Sequence, residues 1–187
     1  MTEAFFDHPE PWTEAEYLAL GETSSRIELV DGGLRVSPAG NIAHQAISDN
    51  LHTVLQPAAQ SAHMRVVSAI NVHLSPGRIL IPDLAVGTMP RVGVLADAAT
   101  VEMVVEILSP SSVTMDRTEK RELYAAAKID WYLLVEPDMP DYEGVTLRLL
   151  RRRNGGYDEV AVAKHGETLR HDRPFPIEVN TDALLDF

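Results

Sequence analysis

The chain has 187 residues, 45% of them hydrophobic, no cysteine, and 28 acidic against 16 basic residues, a formal net charge of −12. That length suits one ordinary domain with a real core. Without cysteine there is neither a disulfide framework nor a thiolate zinc site, and the acidic balance counts against gripping nucleic acid through a broad basic surface. No run approaches the roughly 18 apolar residues of a membrane span, and the acidic, proline-broken start is unlike a signal peptide, so the expectation is a soluble, cytoplasmic protein with no membrane partner.

Residues 1–12 show no periodic pattern and read as an arm. Thr13 opens a short helix through a capping box with Glu16, ending near Gly21. Residues 26–38 read as a hairpin turning at Asp31-Gly32-Gly33, where positive φ is tolerated. Asn41 caps a long helix to about Gln60, with Ile47, Leu51, Val54 and Leu55 as its apolar stripe. Strands are expected over 65–74, 79–87 and 101–108, with a loop over 89–100, a helix over 114–128 and a strand over 131–135. A second hairpin over 145–152 and 157–163 turns at Asn154-Gly155-Gly156, and the tail adds a strand and a closing turn. This order predicts an α+β protein with one mixed sheet and helices on its faces.

The chemistry lies in misplaced charges. Asp83 and Glu106 sit in strands that are otherwise apolar on both faces, where an unpaired carboxylate costs several kcal/mol or about that. At about 100° per residue, Lys120 falls in the middle of the inward helix stripe with Leu123, Tyr124, Ala127 and Asp116. A central lysine needs partners, and the two acids are the nearest unexplained charges. Two carboxylates with a strand carbonyl and waters make an oxygen site suited to magnesium or manganese, and a lysine beside them can orient a water or stabilise a phosphate. The competing reading is a purely structural buried ion cluster. Asp116 reads as a helix-start acid that pairs with Lys120.

The segments Arg26–Pro38 in one-letter form RIELVDGGLRVSP, then NIAHQ, IPDLAV, VEILSPSS, the spacing of Asp116 to Lys120, and LYAAAKIDWYLLVEP resemble the Uma-type restriction endonucleases, within the PD-(D/E)xK nuclease superfamily, over roughly residues 12–170. The superfamily's strand lysine is replaced here by Leu108, and the resemblance to the Uma-type branch implies that Lys120 on the following helix takes its part. The resemblance implies a restriction-endonuclease-like core, a mixed central sheet flanked by helices; with the N-terminal hairpin and C-terminal hairpin added, the chain reads as a single nuclease-like domain over 13–187. The resemblance also implies Mg2+ or Mn2+ bound by Asp83, Glu106 and the Ile107 carbonyl, with Lys120 assisting the water. DNA is the implied substrate of a phosphodiester-cleaving endonuclease, and a homodimer is implied for cutting two strands. The alternative is a nuclease-fold binding or structural protein without turnover.

Other candidates stay open. Glu28 alternates with apolar neighbours, which fits an exposed strand face as well as a second-metal or water-positioning acid; the resemblance favours the site. His44, in the first turn of the long helix, could point at a phosphate or cap and pack. Arg148, Arg151, Arg152 and Arg153 could touch a DNA backbone, but a charged hairpin that blocks edge pairing is the simpler reading. His52, His63, His73, His165 and His171 share no ligand spacing.

Overall fold

A computed structural model describes residues 10–23, 25–38, 40–109 and 118–187. Most of the expected arm, Asp116, and the start of the helix expected from 114 lie outside these residues. The elements in chain order are α1 (Glu14–Ala19), β1 (Arg26–Val30), β2 (Gly33–Ser37), α2 (Ile42–Ser61), β3 (Arg65–Ser68), β4 (Asn71–Ser75), β5 (Arg78–Leu80), β6 (Leu84–Gly87), β7 (Leu95–Asp97) and β8 (Val101–Ile107). They continue with α3 (Lys120–Ala126), β9 (Trp131–Pro137), β10 (Val145–Arg153), β11 (Gly156–Ala163), β12 (Thr168–His171) and β13 (Ile177–Asn180).

The local signals at chain punctuation marks act as expected. Thr13 and Glu16 form the reciprocal capping box, with the Glu16 amide 3.2 Å from Thr13 Oγ1 and the Thr13 amide 2.9 Å from Glu16 Oε2. Asn41 Oδ1 accepts from the His44 amide at 2.8 Å and starts α2. Both hairpin turns place two successive residues at positive φ, Asp31 with Gly32 and Asn154 with Gly155, the twist that matches two flanking strands.

The central sheet has the order β11-β10-β9-β8-β6-β3 and is mixed, because β8 and β9 are parallel while its other pairs are antiparallel. A parallel neighbour requires the chain to cross back over a sheet face, and α3 lies on that crossover. Side chains alternate across this sheet: Met103, Val105 and Ile107 join the core beneath α2, while Val104 and Leu108 join the core on the opposite face with Tyr124 and Ala125 of α3. The fold is therefore α+β with a mixed central sheet, as the sequence suggests.

A second sheet, β2-β1-β5-β4-β7, was not foreseen. Two of the expected strands each break in the middle and serve both sheets. The 65–74 run breaks at Ala69, whose φ is 49°, so β3 pairs with β6 and β4 pairs with β5. The 79–87 run breaks at Ile81-Pro82-Asp83, since proline has no amide to offer a ladder. The Ala69 amide donates to the Asp83 carbonyl at 3.1 Å and ties the two breaks together. The expected loop at 89–100 also contains β7, which pairs in parallel with β4. The core opposite α2 unites both sheets, with Val30, Val72 and Leu80 meeting Ala85 and Val104.

Gly87 closes β6 at a register shift against β8, and an added Cβ there would lie 2.0 Å from the Thr100 carbonyl oxygen and 2.9 Å from Val101 Cα. Both are backbone atoms with no rotamer to yield. Gly87→Ala is expected to lower stability by about 1–3 kcal/mol, the range for forced overpacking, measured as a lower midpoint in urea denaturation.

Candidate active site

The strand breaks deliver the charges. β6 and β8 pair with Leu84 opposite Val105, so one step further Asp83 stands opposite Glu106, just beyond the end of the ladder. Asp83 therefore precedes its strand, where the sequence reading had set it inside one. Its Oδ2 accepts from the Ile107 amide at 2.7 Å, and its Oδ1 from Arg26 at 2.6 Å. Arg26 and Glu28 sit two residues apart on β1 and share a face of that strand.

Glu28, Asp83, Glu106 and Lys120 are 1%, 3%, 1% and 4% exposed, so none can rely on water to solvate its charge. Lys120 Nζ lies 3.0 Å from Glu106 Oε1 and 3.3 Å from Glu28 Oε1. Glu106 Oε1 also accepts from the Tyr124 hydroxyl at 2.6 Å, and Glu28 Oε1 from the Ile81 amide at 2.8 Å. The exposed-face reading of Glu28 fails: β1 is an inner strand of the second sheet, and this residue faces the junction of the sheets. Arg35 on β2, paired across from Glu28, bonds Glu119 beside Lys120 and ties the hairpin to the start of α3.

His44 is 7% exposed. Its Nε2 lies 3.2 Å from the Ile107 carbonyl oxygen and 3.4 Å from Asp83 Oδ2. Both neighbours are acceptors, so Nε2 carries a proton and shares it between them. Nδ1 is buried and has no hydrogen-bond partner among the described residues. The imidazole thus reaches the cluster through Asp83 and the carbonyl of Ile107.

Burial would raise the Asp83 pKa, but the His44 hydrogen bond, the charges of Arg26 and His44, and the Ile107 amide outweigh it and hold the carboxyl well below the usual carboxylate range. Burial works against the charge of Arg26; Asp83, then Glu106 and Glu28, more than compensate and raise its pKa above the ordinary arginine value. Burial, with the neighbouring charges of Glu106 and Glu28, pushes the Tyr124 hydroxyl well above its ordinary value, so it stays a donor.

The donor chemistry fits a hard divalent cation. Asp83, Glu106 and the Ile107 carbonyl offer only oxygen, and His44 Nε2 is protonated and turned to acceptors. Among the described residues no three His, Cys, Asp or Glu side chains form a metal cage, so a backbone carbonyl and waters would have to complete the coordination.

Arg26 and Tyr124 are the residues missed by sequence reasoning. Both had a signal: Arg26 shares its strand face with Glu28 at i, i+2, and Tyr124 shares its helix face with Lys120 at i, i+4. Three members of the arginine run, by contrast, are engaged within the described residues. Arg148 bonds Glu136 and Glu159 at 2.7 Å each, Arg152 pairs with Asp130 at 2.8 Å, and Arg151 lies over the Trp131 ring. The run lies on β10, one strand in from β11, which forms the edge of the central sheet.

The fold is an α+β one built on a mixed central sheet, with an acid pair and a helix lysine buried at one end of it. A solved structure described as a putative nuclease belonging to DUF820 from Anabaena variabilis superposes with a TM-score of 0.75 at 19% identity, covering 94% of this chain and 98% of that one. The chain belongs to the Uma2 family, described as "Putative restriction endonuclease", whose model matches residues 14–184. None of the curated proteins matches. Among the described residues no helix is long and apolar enough to cross a membrane.

Asp83 offers a test of the cluster's electrostatics. The native carboxyl takes up a proton less readily than the unfolded one, whose pKa is near 3.8, so its stabilisation is complete above about pH 4 and is lost as pH falls from there. Asp83→Asn should melt lower than wild type at neutral pH, and the gap should narrow towards about pH 3 in thermal denaturation followed by circular dichroism.

Proposed function

We propose that this chain is a divalent-cation-dependent endonuclease that hydrolyses DNA phosphodiester bonds, with Asp83, Glu106 and the Ile107 carbonyl as ligands of Mg2+ or Mn2+. The observation that carries this reading is Lys120 Nζ, buried 3.0 Å from Glu106 at the end of the strands that also bring Asp83 there. When bound, the cation supplies Lewis-acid polarisation of the phosphoryl oxygen. Lys120 holds the attacking water by hydrogen bond and balances the charge that builds on the phosphate. Glu106 and Glu28 fix the position of Lys120, and the Tyr124 hydroxyl fixes Glu106. His44 orients Asp83 and the Ile107 carbonyl as a positioning residue.

A second reading, a nuclease-fold protein that binds without turnover, draws support from one observation: Asp83 and Glu106 already have protein cations as partners. Calorimetric titration with manganese separates the two, since no binding at millimolar concentrations favours the second.

For the first reading, purified protein should nick supercoiled plasmid in magnesium or manganese and stop when the metal is chelated. Asp83→Asn and Lys120→Gln, checked for folding, should each lose roughly 100-fold or more in rate, comparable to removal of a preorganised charge-stabilising donor. Equal cleavage by wild type and Asp83→Asn would sink the assignment.

A further inference from the structure

Arg26 stands apart from the other members of the cluster in one respect. Its side chain is 26% exposed, against 2% for Asp83, 1% for Glu28 and Glu106, and 5% for Lys120. The guanidinium bonds Asp83 Oδ1 at 2.6 Å and lies in the field of all three acids, Asp83, Glu106 and Glu28. It also lines an open cleft of about 470 Å³, together with Tyr17, Leu20, Ser25, Asn71 and Ile81. Of Arg26 and Lys120, Arg26 is the one whose side chain reaches an open cleft.

We propose that Arg26 is the resident counter-ion of Asp83, and that a divalent cation binds by displacing its guanidinium from Asp83 into this cleft. The proposal rests on the reading that Asp83 is a metal ligand. A buried carboxylate cannot be left without a cation, so the metal-free protein needs a substitute, and a single charge on a long flexible stem is one that can leave. A dication on Asp83 and a guanidinium on the same carboxylate repel each other at short range in a low-dielectric setting. The guanidinium also lies where the acids' fields overlap, so it competes with the metal for charge as well as for a lone pair. The cost of displacing it lowers the metal affinity of the wild-type protein below what the bare donor set would give.

The test is calorimetric titration of Mn2+ alone into wild type, Arg26→Gln, Arg26→Lys and Asp83→Asn. Arg26→Gln keeps hydrogen-bonding capacity but lacks the competing charge, and should bind Mn2+ roughly tenfold tighter, the scale of one charge-assisted hydrogen bond. Arg26→Lys restores the charge and should return towards wild type. Mn2+ should likewise raise the melting temperature of Arg26→Gln by more than it raises that of wild type. If Arg26→Gln binds equally or more weakly while Asp83→Asn abolishes binding, the proposal falls and the metal reading stands. If Asp83→Asn binds Mn2+ as wild type does, both fall. A manganese-soaked crystal of the unmodified protein gives a result independent of variant folding: metal on Asp83 with Arg26 withdrawn supports the displacement, and metal on Asp83 with Arg26 still bonded overturns it.

Discussion

Three carboxylates, Glu28, Asp83 and Glu106, are each buried to 3% exposure or less, and the architecture around them follows from the need to give each one partners in place of water. A carboxylate removed from water must find cations and donors or give up its charge. Here Arg26, Lys120, Tyr124 and two backbone amides, those of Ile81 and Ile107, share the task. Replacing such a cluster with apolar residues is often neutral or stabilising, which makes its presence an argument for use and not for stability.

Each of these groups comes from a different part of the chain. The second sheet supplies Arg26 and Glu28, the break between β5 and β6 supplies Asp83, the central sheet supplies Glu106, and the crossover helix supplies Lys120 and Tyr124. Pro82 and the positive φ of Ala69 pass the chain from one sheet to the other at the point where Asp83 stands just outside the ladder. α2 adds His44 from the far side, through the first turn set by Asn41.

The acidic character of the chain has a local counterpart. Arg148 and Arg152 of the arginine run pair with Glu136, Glu159 and Asp130, and Arg151 lies over the Trp131 ring. These cross-strand pairs hold the C-terminal hairpin, and exposed pairs of this kind contribute little stability individually.

The sequence alone determined what is local or periodic. Caps at Thr13 and Asn41, the turns at Asp31-Gly32 and Asn154-Gly155, the α2 stripe, and the inward aim of Lys120 follow from spacing and conformational preference over a few residues. It also marked Asp83, Glu106 and Lys120 as charges out of place, because hydrophobic patterning makes a buried acid visible. Only the tertiary structure decided that two apparently continuous strands divide between two sheets, that Glu28 is buried, and that Arg26 and Tyr124 complete the cluster. A two-residue alternation says which side chains share a face but not whether that face meets water or a second sheet. That choice depends on contacts between β1, β5 and the central sheet, remote in sequence and invisible to any local pattern.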